Sequence, residues 1–496
     1  MIKTICESKR MKKKSIKLNA ALNGFRTILN LIFPLITFPY VSRVLSVNEV
    51  GKYNFSQSII TYFLLIAALG IDKFAVREGT KYRDDREKLS SFASEVFSIN
   101  IVSTIISYFL LFLYLSLSIK SLSYRSCILI FSLQIVFTTL GTEWIYTIFE
   151  EYTYITIRSI AFKIFSIILL FVFVRNEGDY LTYAGITVFA SVGSNILNFI
   201  NARKYCKIRL TFKFNWKKLL KPILVIFASN IAVQIYVSSD ITMLGYLKND
   251  YSVGIYSVST KIYAIVKNVL GAVLMVTIPR FAYYVGKNQK IEYESLLKKV
   301  TNTLILLGIP IVVGLVLLSK NVVLIIAGEK YLDSQIPLII LCIAIIFSIF
   351  STLFNQCVLL PCKREKVFLK SSIISALLNI GLNFVLIPLI GEIGAAITVL
   401  LAEGTMAVMN FRGCKDLVRG CIFNDSFIRN LSTVIFGSIG IIAVCLLSMR
   451  LIPELYIQTI VAIVASVFVY FSILLIIKNE IVLENVNAVK GKFNRK

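Results

Sequence analysis

Apolar runs of about twenty residues recur from near residue 18 to near residue 477, parted by short clusters of charged and turn-forming residues. A helix rises 1.5 Å per residue, so about twenty residues cross the roughly 30 Å hydrocarbon core of a bilayer. The pattern predicts an all-α polytopic membrane protein with fourteen transmembrane helices. They fall near 18–42, 50–70, 89–116, 126–149, 152–174, 180–201, 218–246, 251–279, 298–318, 331–359, 367–389, 392–411, 429–448 and 455–477. Two junctions are weakly marked by polar residues, at Glu150-Glu151, read as a tight turn, and at Gly391-Glu392.

Charge checks the count, because cytoplasmic loops of membrane proteins are enriched in Lys and Arg. With the N-terminus inside, the cytoplasmic segments carry 39 of the 53 basic residues and the outside segments only eight. One helix more or fewer would scramble that alternation, so both termini are expected in the cytoplasm. The composition agrees: 57% hydrophobic and 16% charged, with a mean hydropathy of +0.79. A soluble chain carries about a quarter charged residues. The Lys-rich start runs into a long span without a short apolar core and small-residue cleavage site, so no cleavable signal peptide is expected.

The same asymmetry accounts for the net charge of +26 without nucleic acid as a partner. Basic clusters at cytoplasmic helix ends contact membrane lipids, each charge contributing on the order of 1 kcal/mol with anionic headgroups. The chain has no histidine, which removes His general bases, Ser-His-Asp triads and His-bearing metal sites. The nine cysteines are scattered, and Cys357 and Cys362 do not make a metal-ligand pair. No Gly-rich phosphate loop and no large outside segment interrupts the spans, so neither a cofactor nor an enzymatic activity is expected.

An internal repeat sets the organisation. EVGKYNFSQSI (49–59) and SVGIYSVSTKI (252–262) align without gaps at an offset of 203, with five of eleven positions identical. Each copy opens a span after an outside turn, the second span and the eighth. Six spans separate them, an even number, so the halves are parallel repeats related by an axis along the membrane normal. The expected domains are a basic N-terminus (1–17), a first six-helix lobe (18–217), a second (218–428), two further helices (429–477) and a tail (478–496). Parallel lobes with a midplane site are a transporter architecture.

Three stretches carry a family resemblance. YVSRVLSVNEVGKYNFSQSIITYFLLIAALGIDKFAVRE (40–78), VLIIAGEKYLDSQIPLIIL (323–341) and NIGLNFVLIPLIGEIGAAITVLLAE (379–403) resemble the Wzx-type polysaccharide flippases. These carry O-antigen and capsule repeat units and belong to the multidrug/oligosaccharidyl-lipid/polysaccharide (MOP) exporter superfamily. The resemblance implies transport of undecaprenyl-diphosphate-linked oligosaccharide from the cytoplasmic to the outer leaflet of a bacterial inner membrane. It also implies a setting shared with a polysaccharide polymerase and chain-length machinery. The order of the three stretches along the chain carries the resemblance.

Charges inside the spans are the candidate site. Arg26, Lys52, Arg158, Lys163, Lys261 and Lys267 fall within the apolar runs. Lys52 sits at a span edge and is expected to snorkel. A cation at the helix centre costs about 2.5–3.5 kcal/mol on insertion scales and usually faces a cavity or a partner. Pairing is one reading, Glu143 with Arg158 and Asp240 with Lys261. Glu143, Asp240 and Glu403 are too few, however, to neutralise five deep cations. The surplus suits an anionic headgroup, so Arg26, Arg158, Lys163, Lys261 and Lys267 are expected to line a cationic cavity for the diphosphate. The three acids are alternatives for charge pairing or ion coupling. Pro34 and Pro39 either let the first span flex or are tolerated kinks. A cation-coupled multidrug antiporter would show the opposite surplus, and a membrane-embedded glycosyltransferase or polymerase would need acidic residues on an outside loop.

Overall fold

Backbone groups inside hydrocarbon must be satisfied within the chain, and helices do this segment by segment. The computed structural model describes residues 33–211, 216–422, 425–479 and 481–484, together with Gly24 and Leu29. Among these residues there are helices and turns and no strand. Eleven helical stretches are long and apolar enough to cross a membrane. The first expected span, 18–42, lies largely outside the described residues, Arg26 included.

The chain divides into two compact units, residues 1–45 with 56–231, and residues 46–55 with 232–496. The first contains α1 (33–44) and most of α2 (Val47–Ala68), then α3 (Ile71–Gly79), α4 (Arg86–Leu117), α5 (Arg125–Gly141) and α6 (Glu143–Ile148). It continues with α7 (Tyr152–Phe173), α8 (Tyr180–Val192), α9 (Asn195–Ala202) and the start of α10 (Trp216–Leu247). The second holds the rest of α10, then α11 (Asp250–Gly286), α12 (Lys290–Leu317), α13 (Ser319–Ile326) and α14 (Gln335–Leu353). It ends with α15 (Glu365–Ile422), α16 (Asp425–Leu451) and α17 (Leu455–Ile476).

Lipid tails are as apolar as leucine, so helices in a membrane are joined by close packing and interhelical hydrogen bonds. The first unit shows the bonds clearly. Left-handed residues Leu69 and Gly70 end α2 (φ 47 and 74), and near that break the Ala67 carbonyl accepts from Asn100 Nδ2 at 2.8 Å and Ser103 Oγ at 2.6 Å. Ser107 donates to the Phe63 carbonyl at 2.7 Å, and the Thr104 and Thr139 hydroxyls meet at 2.6 Å. Around these, Phe74, Phe92, Val96, Trp144 and Ile148 form an apolar core. In the second unit α14 packs on α15, and α16 on both α12 and α17. There the Tyr470 hydroxyl donates to the Leu306 carbonyl at 2.8 Å, and Asn321 donates to Gln458 and Thr459.

The helices run past the hydrocarbon. Residues expected to form a basic loop after residue 70 continue as α3, and the stretch Val47–Tyr82 is 36 residues long. Likewise α11 ends at Gly286 and α12 begins at Lys290, eight residues before the expected span. Hydropathy marks where hydrocarbon ends, while a helix in the aqueous layer keeps its own hydrogen bonds. The 58-residue α15 breaks at Ile390-Gly391, where Gly391 has φ 59 and ψ −130. That conformation is open essentially to glycine alone.

The two copies of the repeat meet within the second unit. A side-chain carbon on Gly51 would overlap the Asp250 carbonyl, and one on Gly254 would overlap the Val47 carbonyl. Residues 47 and 250 are separated by 203, as are 51 and 254, so the contact is reciprocal at the offset of the repeat. Glycine at both positions lets two backbones approach as closely as small-residue helix interfaces do.

Candidate functional site

In the first unit, Thr142 (φ 43) breaks α5 from α6 and leaves Glu143 as the first residue of α6. An acid is favoured there by the helix dipole. Glu150 (φ 55) then reverses the chain, closed by Glu151 N–H donating to the Tyr146 carbonyl at 2.8 Å. The hairpin carries Arg158, six residues into α7, back toward Glu143. Arg158 Nη2 lies 3.6 Å from Glu143 Oε1, and the arginine is only 7% exposed. Its guanidinium also stands 5.5 Å above the Tyr154 ring, which stacks on Tyr146. Lys163, further along α7, places its ammonium 5.6 Å from the centroid of Phe33.

The second unit holds Lys261 and Lys267 on α11. Tyr263 and Lys267 are four residues apart and share a helix face. Opposite them Glu403, on α15, is buried. Its Oε1 accepts from Lys267 Nζ at 3.0 Å, Tyr263 Oη at 3.1 Å and Ser348 Oγ at 3.0 Å. The lysine side chain remains 35% exposed while its partner is 5% exposed. An ammonium has three donors, and two of them point to Glu403 and Tyr263. Lys261 lies six residues earlier, about 9 Å along the helix axis, and is half-buried.

Asp240, on α10, occupies a different setting. Its Oδ1 accepts from Asn383 Nδ2 at 2.6 Å, within a ring of Asn379, Asn383, Thr398 and Ser239. Thr398 Oγ1 donates to Asn383 Oδ1 at 2.7 Å, and Ser239 donates to Asn379 at 3.1 Å. The two asparagines and the threonine are fully buried. The ring is a compact, buried set of amides and hydroxyls that turns an amide N–H to the carboxylate. Sequence reasoning missed these amides; the NxxxN spacing in NIGLNF (379–384) was the available signal, since it puts both amides on one helix face. Tyr263 and Ser348 carried no such signal. Among the described residues, no group of three or more His, Cys, Asp or Glu could hold a metal ion.

Beside α11 the second unit also contains an apolar cavity of about 640 Å³ between α12, α16 and α17. Pro310, Gly314, Ile441, Val467 and Phe471 line it, with Val266, the neighbour of Lys267 on α11. Its few polar groups are engaged: Tyr470 donates to Leu306, and Ser466 meets Cys445 at 3.7 Å. Such a surface suits a hydrocarbon chain.

Residues 17–285 match the family described as polysaccharide biosynthesis protein, and residues 226–385 match the family described as MatE. A protein of Escherichia coli (strain K12) named as a candidate O-antigen transporter is 26% identical over 398 residues, covering 78% of this chain and 95% of that protein. The capsular polysaccharide biosynthesis protein CapF of Staphylococcus aureus is 23% identical over 387 residues, covering 76% and 93%. Among solved structures, the lipid II flippase MurJ in an inward closed conformation aligns with a TM-score of 0.73 at 18% identity, covering 94% of this chain and 100% of that one. At that identity the likeness is one of fold.

Proposed function

Because this chain belongs to the polysaccharide biosynthesis protein family, we propose that it is a flippase for undecaprenyl-diphosphate-linked oligosaccharide repeat units. It moves them from the cytoplasmic to the outer leaflet of the bacterial inner membrane by alternating access, for O-antigen, capsule or related surface polysaccharide. The observation that carries this reading is a partly exposed cation, Lys267, next to the lining of an apolar cavity inside a helical membrane protein. A diphosphate needs the first and a polyprenyl chain needs the second. The relatives named for O-antigen transport and capsular polysaccharide biosynthesis support it.

The finer architecture belongs to the same proposal. The eleven candidate spans become fourteen when the bend at Gly391 divides Glu365–Gly420 and when α10 and residues 18–42 are added. Both termini are then cytoplasmic, and the reciprocal glycine contact supports a duplicated pair of six-helix lobes, 18–217 and 218–428. The protein carries its substrate without chemical change, beside a polymerase and chain-length machinery that use the product. Arg26, Arg158, Lys163, Lys261 and Lys267 supply positive charge to the diphosphate, and Asp240, in its ring of amides and hydroxyls, couples transport to a proton or small cation. The MatE match favours a second reading, a cation-coupled multidrug antiporter. Glu403 would then be the ligand for an organic cation, yet it already holds Lys267.

Arg26 tests the proposal. Arg26→Lys keeps the charge but loses the planar fork that binds phosphate through two donors. It is expected to retain partial export of lipid-linked oligosaccharide, while Arg26→Gln loses most of it at matched protein levels. Equal export for the two variants would show that Arg26 does not meet the substrate. Loss of drug efflux, with export intact, would establish the antiporter.

A further inference from the structure

Residues 203–211, which follow α9, run as a turn and then an extended segment along the start of α4. Three serines on one face of α4 receive the segment. The Lys207 N–H donates to Ser90 Oγ at 3.0 Å, the Arg209 N–H to Ser94 Oγ at 3.0 Å and the Thr211 N–H to Ser98 Oγ at 2.9 Å. Each serine in turn donates to the carbonyl four residues earlier, at 2.6 to 2.7 Å. The rungs fit because four helical residues rise about 6.0 Å and two extended residues about 6.6 Å. Arg86 Nη2 fixes the near end through the Arg203 carbonyl.

The depth of this strap follows from helix length. The 32 residues of α4 measure about 48 Å, roughly 18 Å more than the hydrocarbon core. Glu95 is the last charged residue before the other end of α4, so the excess lies at the Arg86 end and reaches about as far as Ser98. The ladder therefore sits in the headgroup layer. An extended backbone there would leave N–H groups short of partners, and the serines provide them.

The side chains of the strap lack the ion pairs that several neighbouring charges of this unit make. Arg77 and Lys81 pair with Glu78, Arg83 with Glu150 and Lys88 with Asp85. Arg203, Lys204, Lys207 and Arg209 are exposed, and among the described residues no carboxylate forms an ion pair with them. Leu210, at the hydrocarbon end, is 63% exposed. Cations at headgroup depth followed by a bare leucine nearer the hydrocarbon match the order of groups in a phospholipid.

We propose that residues 203–211 form a built docking strap for anionic phospholipid headgroups, with Lys207 and Arg209 on the phosphates and Leu210 among the upper acyl carbons. The serine ladder holds both cations at that depth. This assignment stands apart from the transport reading, because the strap's lipid is part of the bilayer and is not carried across.

The test uses the full chain in nanodiscs, with a fluorophore on Lys204→Cys and headgroup spin-labelled phosphatidylglycerol or phosphatidylcholine as quencher. Phosphatidylglycerol should quench preferentially. Lys207→Gln and Arg209→Gln should each reduce that preference about fivefold, as expected for one surface cation. Ser94→Ala, which leaves every charge in place, should reduce it as well by loosening the strap. Equal quenching by the two lipids, or a preference unchanged in the Lys207→Gln/Arg209→Gln chain, would overturn the docking site. An unchanged preference in Ser94→Ala would overturn the role of the ladder. Displacement by soluble polyglutamate in place of lipid selectivity would reassign the surface to an acidic protein.

Discussion

Lys267 and Glu403 show how this chain keeps charge inside an apolar helix bundle. The carboxylate is buried and takes three donors on one oxygen, while its lysine stays partly open. Removing one member of a buried pair strands the other and costs about 3–5 kcal/mol. Lys267→Met should therefore lower thermal stability in detergent, and adding Glu403→Gln should restore it. If Lys267 also contacts the diphosphate, the stable double variant should still export at least tenfold less, the scale of one lost hydrogen bond to a charged group. Full export by the double variant would leave Lys267 a structural residue. The presence of these charges could be read from sequence, because any Lys or Glu in an apolar run stands out. Their partners could not, since Glu403 and Lys267 are 136 residues apart and no spacing rule joins them. Glu143 and Arg158 were the easier pair, being carried by adjacent segments and one tight turn.

At the scale of the element, sequence located several of the eleven candidate spans closely, and most of their ends poorly. The expected 152–174 and 455–477 correspond to Tyr152–Phe173 and Leu455–Ile476, where apolar residues stop with the helix. At the basic ends the helices continue for up to twelve residues, as at Tyr82. Asp85 shows what does start one: its Oδ1 accepts from the Glu87 and Lys88 N–H groups as the cap of α4. Those bonds, with the Lys88 ammonium, hold its carboxyl below the usual carboxylate range. The local rule fails most clearly at glycine, where one residue decides how two helices meet. Gly51→Ala and Gly254→Ala should each destabilise the protein by about 1–3 kcal/mol, the usual cost of overpacking. Gly271→Ala, with nothing near the added carbon, should be neutral or slightly stabilising. Thermal unfolding in detergent distinguishes them, and equal shifts at all three glycines would remove the close-contact argument.

For the whole molecule, the alternation of basic segments sets the sidedness that labelling can check. Single cysteines at Ser123 and Asn249 should react with an impermeant maleimide from outside, and those at Asp84 and Lys290 only after the membrane is opened. One position on the wrong side would break the fourteen-span topology. The native Cys206 should interfere little, since it is buried and burial pushes its thiol up to about 11. The glycine contact carries a further consequence at this scale. Val47, whose carbonyl receives Gly254, and Gly51, which receives the Asp250 carbonyl, lie four residues apart in the same half of the chain. Each half thus owns both faces of the joint, the condition for an isologous, self-complementary association. A polypeptide ending near residue 217 should then dimerise through residues 47 and 51 alone, reproducing between two molecules what the full chain makes within one.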